Sequence, residues 1–159
     1  MAKAILLCGK ICSGKTTYAK ELIRERRAVN LSVDEIMLSM FGMYAGEMHD
    51  EYARRTREYL LEKSTELIGA GIDVILDWGF WTRDGRNEVI NFYTFRGIEW
   101  EMIHIDPSNE VWQERIAKRN REIENGRTDA YFIDENLAEK FASLFEAPSA
   151  DEINRTVSQ

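Results

Sequence analysis

Two patterns of apolar positions take turns along this chain. Ala4-Ile5-Leu6-Leu7-Cys8 is an unbroken apolar run, as expected of a strand covered on both faces of a parallel sheet. Behind it, Tyr18, Ala19, Leu22 and Ile23 recur at helical spacing. A second short strand is predicted over residues 28–32, ending at Val33-Asp34, and Glu35-Ile36-Met37-Leu38 opens a helix. Residues 41–50, with Gly42 and Gly46, read as a mobile connection. Residues 51–70 read as a long helix punctuated by Gly69 and Gly71. A third strand is predicted over residues 72–77, a helix over 84–95 and a fourth strand over 99–105.

Asp106-Pro107-Ser108 is a turn, with Ser108 as helix cap and Val111, Trp112 and Ile116 as the buried stripe behind it. A last helix runs from about Asp134, with Leu137, Phe141, Leu144 and Phe145 on one face, and Pro148 stops it. The only candidate for a fifth strand is residues 153–157. Strands alternating with helices predict βαβ units, so the expected class is α/β with a parallel sheet and helices on both faces. No repeat, low-complexity tract or linker divides the chain, and residues 1–159 read as a single domain.

Between the first strand and the first helix lies Gly9-Lys10-Ile11-Cys12-Ser13-Gly14-Lys15-Thr16-Thr17, which carries G-x-x-x-x-G-K-T. This is the phosphate-cradling loop of nucleoside-triphosphate-binding proteins, in the strand-to-helix context it requires. Gly9 and Gly14 let successive backbone amides turn onto phosphate oxygens, and the helix N-terminus adds its partial positive charge. Lys15 supplies a cation for the β- and γ-phosphates, and the Thr16 hydroxyl is placed to ligate magnesium.

In open parallel sheets ligands bind beyond the carboxyl ends of the strands. Asp34 follows the second strand and Asp77 ends the third, so both converge on the phosphate loop. Asp34 suits a general base for an acceptor hydroxyl, or else caps the helix that opens there. Asp77 suits a magnesium contact, or else forms the turn at the strand's end. Arg115 and Arg119 share a helix face beside Lys118 and Arg121, either as cations closing over a transferring phosphoryl group or as a solvated basic face. Arg127 is a weaker member of that set, and residues 115–130 read as a lid. Trp78-Gly79-Phe80-Trp81 either lines an acceptor pocket or packs under the next helix, and Arg83 and Arg86 are placed to hold an anionic acceptor. His49 and His104 read as surface or structural residues.

Composition narrows the partners. With 21 basic against 28 acidic residues the net charge is -7, which argues against a partner gripped by its phosphate backbone. A small-molecule substrate is expected, with nucleic acid disfavoured. No apolar run reaches the length of a membrane span and no leader is apparent, so a cytoplasmic location is expected. Cys8 and Cys12 lie in or beside the loop and do not read as a disulfide. Cys12 is the more redox-accessible of the two. Oligomeric state is left open.

G-K-I-C-S-G-K-T-T, L-S-V-D-E-I, V-I-L-D-W-G-F-W-T-R-D-G-R, E-R-I-A-K-R-N and F-E-A-P together resemble a P-loop kinase. The likeness is to small bacterial ATP-binding proteins of the polynucleotide-kinase, chloramphenicol-phosphotransferase and zeta-toxin-like group. Its L-D-W-G-F-W and F-E-A-P signatures resemble a subgroup described as kinases or AAA-type ATPases. The resemblance implies a P-loop NTPase three-layer α/β/α sandwich with strand order 2-3-1-4-5, and ATP with Mg2+ as donor. It also implies Asp34 at the base position, Arg115 and Arg119 at the lid-arginine positions, and residues 145–148 beside the adenine. Polynucleotide kinases carry Arg three residues after the base Asp; here that position is Met37.

The expected activity is transfer of the γ-phosphoryl group of ATP to a hydroxyl of a small molecule. On that reading Lys15, Asp34, Arg119 and Arg115 are catalytic, and residues 9–17 with Arg119 bind ATP. Thr16 and Asp77 hold the metal, while Asp34, Asp77, Trp78 and Arg86 meet the substrate. The alternatives are an ATPase or switch without an acceptor, and a 5′-hydroxyl polynucleotide kinase. Against a hydrolytic motor, Asp77 is followed by Trp78 and not by Glu; against a GTPase, N-K-x-D is missing.

Overall fold

A computed structural model describes residues 1–128 and 132–158. In chain order the elements are β1 (Ala4–Cys8), α1 (Lys15–Glu25), β2 (Ala28–Asn30), α2 (Val33–Phe41), a 3-10 turn (Gly46–Met48), α3 (His49–Gly69), β3 (Asp73–Gly79), α4 (Arg83–Phe95), β4 (Trp100–Ile105), α5 (Asn109–Glu124), α6 (Glu135–Leu144) and β5 (Arg155–Val157). All pairings are parallel and the strand order is β2-β3-β1-β4-β5. This is the expected three-layer α/β/α sandwich.

Strand alternation explains how one apolar run serves two faces. Ala4, Leu6 and Cys8 of β1 join Leu76 and Met102 against α2, α3 and α4. Ile5 and Leu7 point the other way, with Ile75 and Ile103, onto Ala19 and Leu22 of α1. A third, smaller cluster of Trp112, Ile116, Ile133 and Ala138 lies against Ile11 and Cys12 of the phosphate loop. Both faces of β1 are thus dry, and the loop after it is anchored in the core.

Three boundaries differ from the sequence expectation. Helix α2 starts at Val33 and not at Glu35, because Val33 and Met37, four apart, are the residues it buries. Its N-cap is therefore Ser32, whose hydroxyl accepts from the Glu35 amide at 3.2 Å. Helix α3 starts at His49, so the connection before it is shorter than expected and includes a 3-10 turn. Strand β5 is three residues long and is fixed in register by Asn154, whose amide donates to the Met102 carbonyl while its side chain accepts from the Met102 amide. Among the described residues, no helix is long and apolar enough to cross a membrane.

Candidate active site

The loop between β1 and α1 is held tightly by its own backbone. Gly9 donates to the Gly79 carbonyl at 3.1 Å, and Ser13 to the Lys10 carbonyl at 3.2 Å. A Cβ on Gly9 would meet the Ser13 hydroxyl at 2.6 Å and the Ile105 carbonyl at 2.7 Å, so only glycine fits. Cys12 and Gly14 both adopt positive φ, at 58° and 105°. Gly14 caps α1 without a side chain, which leaves the first amides of that helix for a ligand.

Lys15 folds back over the loop. Its ammonium donates to the carbonyls of Gly9 at 3.0 Å and Lys10 at 2.6 Å, and to the Ser13 hydroxyl at 3.4 Å. Burial lowers its pKa, opposed by the charges of Asp77 and, more weakly, Asp34. Thr16 Oγ1 donates to Asp77 Oδ2 at 2.8 Å. Burial raises the Asp77 pKa and Asp34 raises it further, while the Thr16 hydrogen bond and Lys15 pull it down. Lys15, Asp34 and Asp77 therefore share one electrostatic neighbourhood, although they come from three different elements.

Asp34 sits in the first turn of α2, exposed, with no hydrogen bond or ion pair among the described residues. Ser32 has taken the capping role, so the Asp34 carboxylate is left over for other work. Thr16 Oγ1 and Asp77 Oδ2 are hard oxygen donors, the kind that suits magnesium. Two protein oxygens are too few for an octahedral ion, so its other ligands would come from phosphate and water.

Helix α5 lies across the loop. Trp112 Nε1 donates to the Ile11 carbonyl at 2.7 Å, and the Lys10 ammonium stands 4.9 Å over the Trp112 ring. Arg115 donates to the Ser13 carbonyl, and Arg119 reaches Cys12 Sγ at 3.4 Å. Positions 112, 115, 116 and 119 fall on one helical face, so this face meets the phosphate loop and not bulk water. Arg119 Nε is buried with no hydrogen-bond partner among the described residues. Arg127 is exposed beyond the end of α5. Asn120 exchanges hydrogen bonds with both backbone groups of Ile133, at 2.6 and 2.9 Å, and so closes the segment behind α5. Part of the expected lid, residues 129–130, lies outside the described residues.

Beyond Asp77 the chain makes an aromatic turn. Trp78 Nε1 donates to the Leu31 carbonyl at 2.6 Å, tying β3 to the β2–α2 junction. The Trp78 and Phe80 rings stack at 5.9 Å, and Trp81 meets Phe141 edge-on at 5.2 Å. A Cβ on Gly79, which has φ 78°, would meet Trp81 Nε1 at 2.6 Å. The turn lines a cleft of about 290 Å³ between α3 and α4, walled by Trp78, Phe80, Trp81, Val89, Arg57 and Glu88.

Arg86 corrects the sequence reading. It is fully buried and forms a two-pronged ion pair with Glu152, Nε to Oε1 at 2.8 Å and Nη2 to Oε2 at 3.3 Å. Its Nη1 donates to the carbonyls of Phe80 at 3.0 Å and Glu146 at 2.8 Å. Glu152 also accepts from the amide and hydroxyl of Ser149. Four of the five Arg86 N–H donors are spent and the side chain is buried, so it is not presented to an anionic acceptor; it pins the aromatic turn to the C-terminal segment. Arg83 lies exposed near Asp151, and its amide donates to Glu146. His104 is a buried strand residue beside Phe145, at 6.0 Å between rings, with its pKa lowered by burial. The His49 ring accepts from the Ala45 amide at 3.2 Å.

Sequence reasoning missed Glu152, for which no local signal exists, and gave Arg57 no role of its own. Arg54 and Arg55 pair with Glu51 and Glu58 along α3, but the positions three and four from Arg57 hold no acid. That spacing marks Arg57 as the unpaired cation of the run.

This sheet order and loop define a P-loop NTPase fold. Residues 5–148 match the AAA_33 family, described as an AAA domain, and the chain belongs to that family. Solved structures share the fold at low identity. A kinase candidate from Chloroflexus aurantiacus j-10-fl is 20% identical over 99% of this chain and 84% of its own, with a TM-score of 0.72. A chain of the Pnkp1/Rnl/Hen1 RNA repair complex is 24% identical over 90% of this chain but 43% of its own, at 0.70. The Mycobacterium tuberculosis APS kinase CysC, solved with AMPPNP and APS, is 16% identical over 99% and 88%, at 0.65. No curated protein matches the chain significantly.

Proposed function

We propose that this protein is an ATP-dependent kinase that moves the γ-phosphoryl group to an alcohol hydroxyl of a small-molecule acceptor. The observation that carries this reading is Asp34. Freed from capping by Ser32, it lies within the electrostatic reach of both Lys15 and Asp77. A nucleotide switch needs the loop, but it has no use for a spare carboxylate within that reach.

In the proposed reaction the acceptor oxygen attacks the γ-phosphorus as its proton passes to the Asp34 carboxylate. The bond from the γ-phosphorus to the bridging oxygen breaks, and ADP leaves. Phosphate oxygens replace the Gly9 and Lys10 carbonyls as partners of the Lys15 ammonium. Thr16 and Asp77 would hold Mg2+, which supplies charge neutralisation at the β- and γ-phosphates. Arg119, with Arg115 beside it, faces the loop and would meet the charge spread over the transferring group. The lid expected over residues 115–130 would be rooted in α5, whose face from Trp112 to Arg119 already packs on the loop. The solved APS kinase with a nucleotide analogue bound supports the choice of nucleotide, and a cytosolic setting, where ATP is plentiful, goes with it.

The test is ADP release in the presence of ATP, magnesium and a panel of metabolites, antibiotics and 5′-hydroxyl oligonucleotides. Release that depends on one small compound, and that falls about 10²-fold or more in Asp34→Asn with ATP affinity unchanged, supports the reading. Release independent of any acceptor would replace it with an ATPase. Oligonucleotide-dependent release would replace the small molecule with nucleic acid, a class the RNA repair neighbour keeps in the panel.

A further inference from the structure

The cleft beside the aromatic turn has a chemistry of its own. Trp78 is immobilised at both ends: its backbone follows Asp77, and its indole N–H is spent on the Leu31 carbonyl, three residues before Asp34. The indole is therefore a fixed plate that ties the residue after Asp77 to the β2–α2 junction, where Asp34 lies. Phe80 stacks against that plate, and Arg86 holds the Phe80 carbonyl from beneath.

Above the plate stands Arg57, its guanidinium 5.7 Å from the Trp78 ring centre. Arg57 is exposed and has no acidic partner among the described residues, whereas its neighbours Arg54 and Arg55 are spent on Glu51 and Glu58. Glu88, on the opposite wall, is also without an ion pair among the described residues. A cleft of about 290 Å³ lies at the small end of the ligand-site range, so it admits one ring system and not a polymer.

We infer that this cleft is the acceptor site, and that it takes a flat-ring alcohol carrying one anionic group. The ring lies on Trp78, the anion pairs with Arg57, and Glu88 disfavours a second anion. This inference rests on the kinase reading for its purpose, but not for its existence as a binding site. The chemistry is shared by aromatic hydroxy-acids and by nucleoside monophosphates.

The experiment is tryptophan-fluorescence titration of the full chain in saturating AMPPNP and magnesium, so that the ATP site is filled. The charged probes are 3-phenyllactate and adenosine 5′-monophosphate; 3-phenyl-1,2-propanediol and adenosine are their uncharged counterparts. The expected result is quenching by at least one charged probe, which identifies the source. Arg57→Gln should then weaken that probe about tenfold and its uncharged counterpart less than twofold, with AMPPNP affinity unchanged. Trp78→Leu should weaken both. Arg57 is exposed, so its variant folds even if the Trp78 variant does not. No binding by either charged probe, or equal loss of charged and uncharged probes in Arg57→Gln, overturns the inference. Phosphorylation of a ringless compound by a protein that ignores these probes would overturn the inference and keep the kinase. Binding of a probe with no transfer to any acceptor would keep the site and remove the kinase.

Discussion

The Thr16 hydroxyl donates to the Asp77 carboxylate at 2.8 Å across 61 residues of sequence, and this hydrogen bond joins the first turn of α1 to β3. Both oxygens are hard donors of the kind magnesium prefers, and on the proposed reading both would ligate it. The arrangement has a cost. Burial keeps the Asp77 pKa above its ordinary value, so protonation is favoured more in the folded than in the unfolded protein. The stabilisation this gives is complete below the unfolded-state pKa and is lost as pH rises through the native one.

At neutral pH, then, the ionised Asp77 weakens the apo fold. Asp77→Asn is expected to raise the melting temperature of the apo protein by about 2 °C or more at pH 7, with the gain shrinking toward pH 3. The same variant should lose the additional stabilisation that ATP with magnesium gives. Thermal melts across pH, with and without nucleotide, measure both effects. An apo protein that Asp77→Asn destabilises at pH 7 would contradict the burial argument.

Arg86 and Glu152 run the other way. Arg86 holds the Glu152 carboxyl down at about 2, against an ordinary value of 4.5. A depressed acid contributes stability above its unfolded pKa and loses it as pH falls through the native one. Glu152→Gln should therefore flatten the acid limb of the stability profile between about pH 4.5 and pH 2. Arg86→Ala leaves a buried carboxylate unpaired and should cost about 3–5 kcal/mol in denaturant unfolding.

The Gly9 position tests the loop without touching charge. Gly9→Ala sets a methyl group 2.7 Å from the Ile105 carbonyl, which is backbone and cannot swing aside. ATP affinity should fall tenfold or more, about 1.4 kcal/mol, in a calorimetric titration.

Arg119 carries a buried Nε with no hydrogen-bond partner among the described residues, a desolvated polar atom that costs the apo fold stability. On the proposed reading, Arg119→Met should be no less stable than the wild type, yet about 10²-fold slower in turnover once an acceptor is known. Denaturant melts and steady-state kinetics separate the two effects.

The two cysteines should differ in reactivity. Burial pushes the Cys8 thiol up to about 11, and its Sγ is held against the Phe80 carbonyl. Cys12 is partly exposed on the loop. At pH 8 a thiol reagent should label Cys12 first, and AMPPNP should slow that labelling; peptide mass spectrometry reads the order.

What the sequence settles by itself is what neighbouring residues decide among themselves. The phosphate loop is closed by bonds spanning three to six residues, such as Ser13 to Lys10 and Lys15 to Gly9, so its geometry follows from its letters. The alternating faces of β1 and the strand order follow from periodicity and from the family resemblance. Even the cap of α2 was within reach, because burying Val33 together with Met37 starts the helix one residue after Ser32. Arg86 was not within reach: in sequence it is one more arginine near the site, and only the arrival of Glu152 from 66 residues away makes it a buried brace. Trp78 likewise needed the Leu31 carbonyl, 47 residues back, to become a fixed plate. A charge or a ring shows in the sequence what it is able to bond, but packing alone decides which partner desolvates it. So the sequence names the nucleotide loop, while the tertiary structure makes Arg86 a buried brace of the fold and sets Arg57, exposed, over the Trp78 ring.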